Sequence, residues 1–217
     1  MTMKAIVDAD IVAFRCSASR EATDLTAVEY LVNSSMEQIL SQANATSYEA
    51  YLTGKNNFRK LIYPEYKANR KDKERPQFLQ DARQILIDRW SAQVCNGYEA
   101  DDACGMAQDT VNNSTILCSI DKDLDQIPGL HFNWVKSSMY EVSELEGIQS
   151  LYRSSLIGDR TDNIIGVQGI GAVKAGHIIN HLHDEEEMDS VCRSLYDDED
   201  RYCMNMQCLY IWRTPVL

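Results

Sequence analysis

This sequence has no close cysteine pairs, no long apolar run and no surplus of basic residues. Its seven cysteines are scattered and odd in number, and no C-x-x-C pair occurs, so they fit the reduced thiols of an intracellular protein better than a disulfide framework. No segment approaches the ~20 consecutive apolar residues of a membrane span, so we expect a soluble protein. The acidic Asp8 follows only a short apolar stretch, which leaves no room for a signal peptide, and we do not expect export.

The net charge of −12 argues against a nucleic-acid partner, because phosphate contacts need Lys and Arg. The charge is unevenly distributed, however. Residues 55–75 contain eight basic and three acidic side chains, whereas residues 184–200 contain nine acidic side chains and one Arg. We therefore expect the basic stretch to face phosphates and the acidic stretch to be a solvated surface.

The apolar pattern predicts an α/β protein of one compact unit, which 217 residues are enough to form. Short apolar strands alternate with amphipathic helices, as in a parallel sheet flanked by helices. The predicted strands span 5–7, 48–53, 115–120 and 130–135. Two predicted helices span 26–43 and 78–90, and two more begin near 99 and 143. We expect an α/β core at 1–155, with a long basic loop at about 54–76, and a helical part with acidic helices at 156–217.

Acidic residues recur where this sheet would place a ligand site, which is at the carboxyl ends of its strands. They stand at strand ends, at the start of one helix, or three residues apart: Asp8, Glu99, Asp101, Asp102, Asp121, Asp123, Asp159 and Asp162. Taken singly, each is more simply a helix cap or a solvated side chain. Taken together, hard oxygen ligands without Cys or His suit Mg²⁺ or Mn²⁺, and so many of them indicate two ions. Such a pair of ions catalyses phosphodiester hydrolysis.

Three glycines precede a predicted helix in the segment 166–174. Gly166, Gly169 and Gly171 would expose backbone N–H groups at the helix start, and Lys174 adds a positive charge. Such groups bind phosphate without reading the base sequence. The simpler interpretation is an ordinary turn between helices. No Gly-Lys-Ser/Thr follows, so the segment is not a P-loop.

Together these segments resemble the flap endonuclease and 5′-to-3′ exonuclease family, which includes phage 5′-nucleases and the 5′-nuclease domain of bacterial DNA polymerases. The resemblance rests on six segments in the family's order: Ile6-Val7-Asp8, Phe58-Arg59, the stretch 64–70, Glu99-Ala100-Asp101-Asp102, Ser119-Ile120-Asp121-Lys122-Asp123 and the stretch 158–171. It covers residues 4–182. It implies a PIN-like three-layer α/β fold, with a helical subdomain that carries a helix-hairpin-helix type DNA-binding motif.

The resemblance also implies a function, namely metal-dependent cleavage of DNA from or near a free 5′ end in replication and repair. The eight acidic residues would bind two Mg²⁺ or Mn²⁺ ions, and the glycine segment would grip duplex DNA together with a K⁺ ion. Tyr66, Lys67 and Arg70 would form a gateway, with Tyr66 stacking on a base and the two cations contacting the scissile phosphate. We add Arg59 and Lys71 as DNA contacts. The expected partner is DNA with a 5′ end or flap, or an RNA-DNA hybrid, bound by a monomer in the cytoplasm of a bacterial or phage-infected cell.

One position departs from the family pattern. Where another metal-binding Asp usually precedes the Phe-Arg pair, this chain has Thr53 and no neighbouring acid. We expect a weaker first metal site, although Asp10 could compensate. Two other interpretations stay open: a DNA-binding protein that has lost catalysis, and a PIN-like ribonuclease that cuts single-stranded RNA.

Overall fold

The structure is a computed structural model, and it describes residues 2–71 and 73–214. Its centre is a six-stranded sheet in the order β3-β2-β1-β4-β5-β6, in which only β6 runs antiparallel to its neighbour. The strands are β1 (Met3–Asp8), β2 (Ala45–Thr53), β3 (Gln93–Cys95), β4 (Thr115–Cys118), β5 (Gly129–Asn133) and β6 (Ser138–Val142). The predicted α/β class is confirmed, and β3 and β6 are strands that the sequence pattern did not indicate.

Helices cover both faces of the sheet and make up most of the C-terminal part. They are α1 (Ala9–Ser17), α2 (Leu25–Gln42), α3 (Arg59–Ile62), α4 (Leu79–Trp90), α5 (Ala100–Ala107), α6 (Glu144–Ile157), α7 (Ala172–Ile179), α8 (Glu185–Leu195) and α9 (Glu199–Leu209). Short 3₁₀ helices span Ala68–Arg70 and Asp123–Gln126, and a small hairpin pairs β7 (Gly158–Asp159) with β8 (Ile164–Ile165). Within the described residues, no helix is long and apolar enough to cross a membrane.

Side-chain caps fix several helix starts. Ser143 and Glu146 form the reciprocal capping box expected for α6. Helix α2 begins after Asp24, whose carboxylate accepts the Ala27 N–H at 2.8 Å. The expected start at residue 26 was therefore one residue late. The sequence pattern missed α1 altogether, because it follows β1 without a loop.

The sheet is buried on both faces by different layers. On one face, Ala5 and Val7 of β1 pack with α1, α2 and α4 in the largest apolar cluster. On the other face, Ile6 packs with Cys104 of α5 and with Ile211, which lies beyond α9. Burial on both sides explains why β1 is a continuous apolar run rather than an alternating one. It also means that the chain's last described segment belongs to the core.

The C-terminal helices have an apolar core of their own. Tyr152 and Leu156 of α6 pack there against Ile179 of α7, Met188 of α8 and Tyr202 of α9. Helix α6 therefore packs with the helical part, although it begins before residue 156. The helical C-terminal part is confirmed, and its helix-hairpin-helix character stays a prediction.

Candidate active site

Asp8 and Asp121 meet at the carboxyl ends of the neighbouring parallel strands β1 and β4. Ser119 links them: its Oγ donates to Asp8 Oδ2 over 2.9 Å and accepts the Asp121 N–H over 3.0 Å. Asp8 is buried, and it also caps α1 by accepting the Ile11 N–H at 3.3 Å. The structure thus brings together two of the acids that the sequence pattern selected.

Asp8 and Asp101 lie in a field of negative charge. Burial, then Asp10 and Asp121, raise the pKa of Asp8 to about 7. Burial, then Asp8, Glu99 and Asp121, raise the pKa of Asp101 well above its usual value. Helix α5 packs against β1 and its Ala100 N–H donates to Thr53 at the end of β2, so the start of α5 lies at the same edge of the sheet.

Asp123 extends this cluster toward the small hairpin. Its N–H donates to Asp121 Oδ1 over 3.0 Å. Burial, then Asp121, Asp159 and Asp162, raise the pKa of Asp123 to about 7. Carboxylates from four separate chain segments therefore form one acidic centre.

Basic and hydroxyl groups cover one side of this acidic centre. The Tyr66 hydroxyl oxygen lies 2.8 Å from Glu99 Oε2 and 2.6 Å from Asp162 Oδ2, so its one proton is shared between these two acceptors. Lys67 Nζ pairs with Glu99 and lies 3.4 Å from Asp162 Oδ2, while Arg70 Nη2 lies 2.5 Å from Asp162 Oδ1. Despite their separation in sequence, residues 66–70 and 158–165 therefore meet at these carboxylates.

The expected stacking role of Tyr66 needs correction. Its side chain is only 2% exposed, and its hydroxyl is committed to two carboxylates, so its ring has no face to offer a base. Tyr66 instead helps to fix Glu99 and Asp162. No local pattern indicates this role, because Glu99 and Asp162 lie 33 and 96 residues along the chain from Tyr66.

Lys67 has an unusual backbone. Its φ is +56°, in the left-handed region that residues other than Gly seldom adopt. Its N–H donates to the Asp162 carbonyl over 2.9 Å, which fixes the side chain beside the acidic centre. Although burial opposes it, Glu99 and Asp162 raise the pKa of Lys67, so the ammonium stays charged. Such backbone strain is typical of functional sites.

Arg59 and Asp102 pair with each other, which corrects the role expected for each. Arg59 Nη1 and Nη2 donate to the two Asp102 oxygens over 2.6 and 2.8 Å, and both side chains are buried. Arg59 therefore does not face DNA. Asp102 lies beside the acidic centre but is held by a guanidinium.

Thr53 does not leave a gap where the family usually has an acid. Its Oγ1 accepts the Ala100 N–H at 2.9 Å, at the start of α5. Its N–H donates to Asp10 Oδ2 over 2.8 Å, and Arg83 on α4 pairs with Asp10 and donates to the Thr53 carbonyl. The sequence pattern did not single out Arg83, because a basic residue on an amphipathic helix is ordinary.

The acidic centre has the chemistry of a cation site. Burial and mutual repulsion raise these carboxyl pKa values, and a divalent cation would offset the negative charge. In the ranges 2–71 and 73–214, no three Asp, Glu, His or Cys side chains lie close enough to hold an ion as they stand. Lys67 and Arg70 instead neutralise Glu99 and Asp162. A metal ion bound to these carboxylates would displace the two basic side chains.

The glycine segment presents backbone at the surface before α7. Gly169 has a φ of +77° and, like Gly171 and Lys174, is exposed. Gly166 is different, since a Cβ there would lie 2.3 Å from the Ile157 carbonyl carbon, and this glycine is required for packing. Lys71 is exposed at the end of the basic loop.

A largely parallel sheet flanked by helices, with carboxylates gathered at the ends of β1 and β4, is a PIN-like α/β fold with an acidic centre. The family model described as the 5′-3′ exonuclease, N-terminal resolvase-like domain, matches residues 4–152. The chain therefore belongs to this exonuclease family.

Two curated proteins are similar in sequence. The flap endonuclease of Escherichia phage T5 is 28% identical in an alignment of 173 positions that covers 65% of this chain and 60% of that protein. The DNA polymerase I of Borreliella burgdorferi is 32% identical in an alignment of 142 positions that covers 58% of this chain and 16% of the polymerase. The chain thus spans less than two thirds of the length of these relatives.

Solved structures share the fold. The flap endonuclease of bacteriophage T5, in a pseudo-enzyme-product complex with DNA and metal ions, matches with a TM-score of 0.73 at 20% identity, over 95% of this chain and 89% of that one. The catalytic core of Rad2 with a DNA substrate matches with a TM-score of 0.55 at 12% identity, over 93% and 71%. The similarity therefore extends beyond residue 152 into the helical part.

Proposed function

We propose that this protein is a divalent-metal-dependent 5′ nuclease, acting on DNA as a 5′-to-3′ exonuclease and flap endonuclease. The observation that carries the proposal is the acidic centre with Lys67 and Arg70 lying against it. Cations beside a carboxylate cluster suit a phosphodiester, because the ions and the basic side chains can share its negative charge. The family's nucleases and the metal-bound and DNA-bound relatives support the same activity.

The acidic centre would hold two Mg²⁺ or Mn²⁺ ions. The proposed ligands are Asp8, Glu99, Asp101, Asp121, Asp123, Asp159 and Asp162. Bound ions supply an activated water and offset charge on the phosphate. Lys67 and Arg70, released from Glu99 and Asp162, would turn to the scissile phosphate, while Tyr66 keeps its two carboxylates in place.

We expect the two metal sites to differ in affinity. Thr53 brings no charge to the end of β2, and Arg83 neutralises Asp10. Because carboxylate number tunes divalent affinity, calorimetric titration of DNA-free protein with Mn²⁺ should show one tight and one weak site. Arg83→Gln should strengthen the weak site by releasing Asp10. Two equally tight sites in the wild type would contradict this assignment.

The DNA duplex would rest on the glycine segment and the basic loop, with contacts from Gly169, Gly171, Lys174 and Lys71. These groups lie at the surface and offer N–H donors and positive charge without base-specific shape. A K⁺ ion at the glycine segment belongs to the same proposal. The acidic helices α8 and α9 would face away from the phosphates.

Lys174→Ala should weaken duplex binding in chelator and reduce the slope of log affinity against log salt by about 1, the value for one lost phosphate contact. Fluorescence anisotropy over a salt series measures both. Lys136→Ala, an exposed Lys in the turn between β5 and β6, is the matched control. If both variants bind like the wild type, the duplex does not contact α7.

A substrate panel tests the function itself. Labelled 5′-flap, nicked, blunt, RNA-DNA and single-stranded RNA substrates should be incubated in Mg²⁺ and in chelator. We expect metal-dependent cleavage near the 5′ end of DNA and of RNA paired with DNA. We also expect the active protein to be a monomer. Binding without cleavage of any substrate would favour a non-catalytic DNA-binding protein, and cleavage of free RNA alone would favour a ribonuclease.

A further inference from the structure

Arg59 is a buried charge that joins three distant parts of the chain. Besides its two bonds to Asp102, its Nε donates to the Cys208 carbonyl over 2.7 Å and its Nη2 donates to the Tyr210 carbonyl over 2.8 Å. Its side chain is 2% exposed, so water does not replace these partners. Arg59 therefore ties the basic loop to α5 and to residues 208–213, which we name the C-terminal strap.

Asp102 has no free acceptor position. Its Oδ2 accepts from Arg59 and from the Glu99 N–H at 3.0 Å, and its Oδ1 accepts from Arg59 and from the Trp212 N–H at 3.2 Å. A carboxylate offers about four lone-pair directions, and here all four are used. Glu99, three residues before Asp102, is instead held at the acidic centre by Tyr66 and Lys67, and Asp101 is the residue directly before Asp102.

The C-terminal strap also holds the 3₁₀ helix that carries Asp123. Gln126 Nε2 donates to the Leu209 carbonyl over 3.0 Å, and Gln126 Oε1 accepts the Ile211 N–H at 3.4 Å. The Trp212 ring stacks on Phe58 at 4.6 Å, next to Arg59. The strap thus contacts two elements that bring carboxylates to the acidic centre, namely α5 and the 3₁₀ helix Asp123–Gln126.

We propose that Arg59 and Asp102 are positioning residues rather than DNA or metal contacts, and that with the C-terminal strap they hold the start of α5, with Glu99 and Asp101, and the 3₁₀ helix, with Asp123, at the acidic centre. The proposal rests on the metal site of the proposed function. It goes further, because it places a segment outside the matched family model, residues 208–213, in the construction of that site. Partners that orient metal ligands typically change metal affinity or activity by about 10- to 100-fold when replaced.

The test is Mn²⁺ calorimetry on full-length, DNA-free protein, beside the Mg²⁺ dependence of cleavage. Arg59→Lys and Asp102→Asn should each weaken Mn²⁺ binding by about tenfold. The double variant should weaken Mn²⁺ binding no more than the more damaging single variant, since both substitutions break the same ion pair. High Mg²⁺ should restore much of the cleavage rate. Arg193→Lys, which alters a two-point ion pair with Asp189 on α8, should bind Mn²⁺ like the wild type.

A milder variant keeps the test open if either buried change prevents folding. Trp212→Ala leaves both charges in place and loosens only the strap, and it should weaken Mn²⁺ binding by about threefold, a fraction of the full effect. Wild-type affinity in Trp212→Ala, or a large loss in Asp102→Asn alone with none in Arg59→Lys, overturns the proposal. A wild-type protein that binds Mn²⁺ but cuts nothing would remove the nuclease function and leave this calorimetric test intact.

Discussion

Asp121→Asn should reduce single-turnover cleavage of a 5′-flap substrate by about a thousandfold, the upper scale for losing one preorganised electrostatic contact. Asp121 occupies the middle of the acidic centre, where its charge raises the pKa of Asp8, Asp101 and Asp123. The amide removes that charge and is a poorer ligand for a hard cation. DNA affinity in chelator should change little, because the proposed duplex contacts are made by the glycine segment and not by Asp121.

A matched variant separates this effect from general damage. Asp125 stands on the same 3₁₀ helix as Asp123, but its carboxylate accepts the Tyr140 hydroxyl at 2.7 Å. Asp125→Asn should therefore cleave like the wild type. Asp121→Asn turning over at more than about a tenth of the wild-type rate would contradict a two-ion centre.

Local sequence signals were enough for much of the fold. The buried run of β1 and the capping box at Ser143 and Glu146 are formed by neighbours in sequence, and both were predicted. Strand β6 was missed because four of its five side chains are exposed, so no alternating pattern marks it. Helix α1 was missed because Asp8 both ends a strand and caps the helix, which leaves no turn between them.

The acidic centre was predictable only in outline. Acids at strand ends can be listed from the sequence, because parallel strands bring their carboxyl ends to one edge. The partner of each acid could not be listed from the sequence, since Arg59 pairs with Asp102, 43 residues away, and Tyr66 with Asp162, 96 residues away. Burial also changed an expected role. Arg59, which we expected to contact DNA, is buried and pairs with Asp102.

Lys67 is the residue for which catalysis and metal binding are expected to respond in opposite directions. In the structure its ammonium neutralises Glu99 and lies near Asp162, so it competes with cations for these ligands. During cleavage the same charge would stabilise the phosphate. Lys67→Ala should therefore slow single-turnover cleavage by about a hundredfold, the scale for one transition-state charge contact, while DNA-free protein binds Mn²⁺ more tightly.

Rapid-quench cleavage at saturating enzyme and Mn²⁺ calorimetry on the same preparation measure the two effects. Lys67→Arg keeps the charge and should recover part of the cleavage rate without increasing the affinity for Mn²⁺. Lys136→Ala should change neither the rate nor the affinity. A loss of DNA affinity with an unchanged rate at saturation would make Lys67 a steering residue. Mn²⁺ binding that weakens in Lys67→Ala would instead mean that the ammonium organises Glu99 and Asp162, as Tyr66 does, and that it does not compete for them.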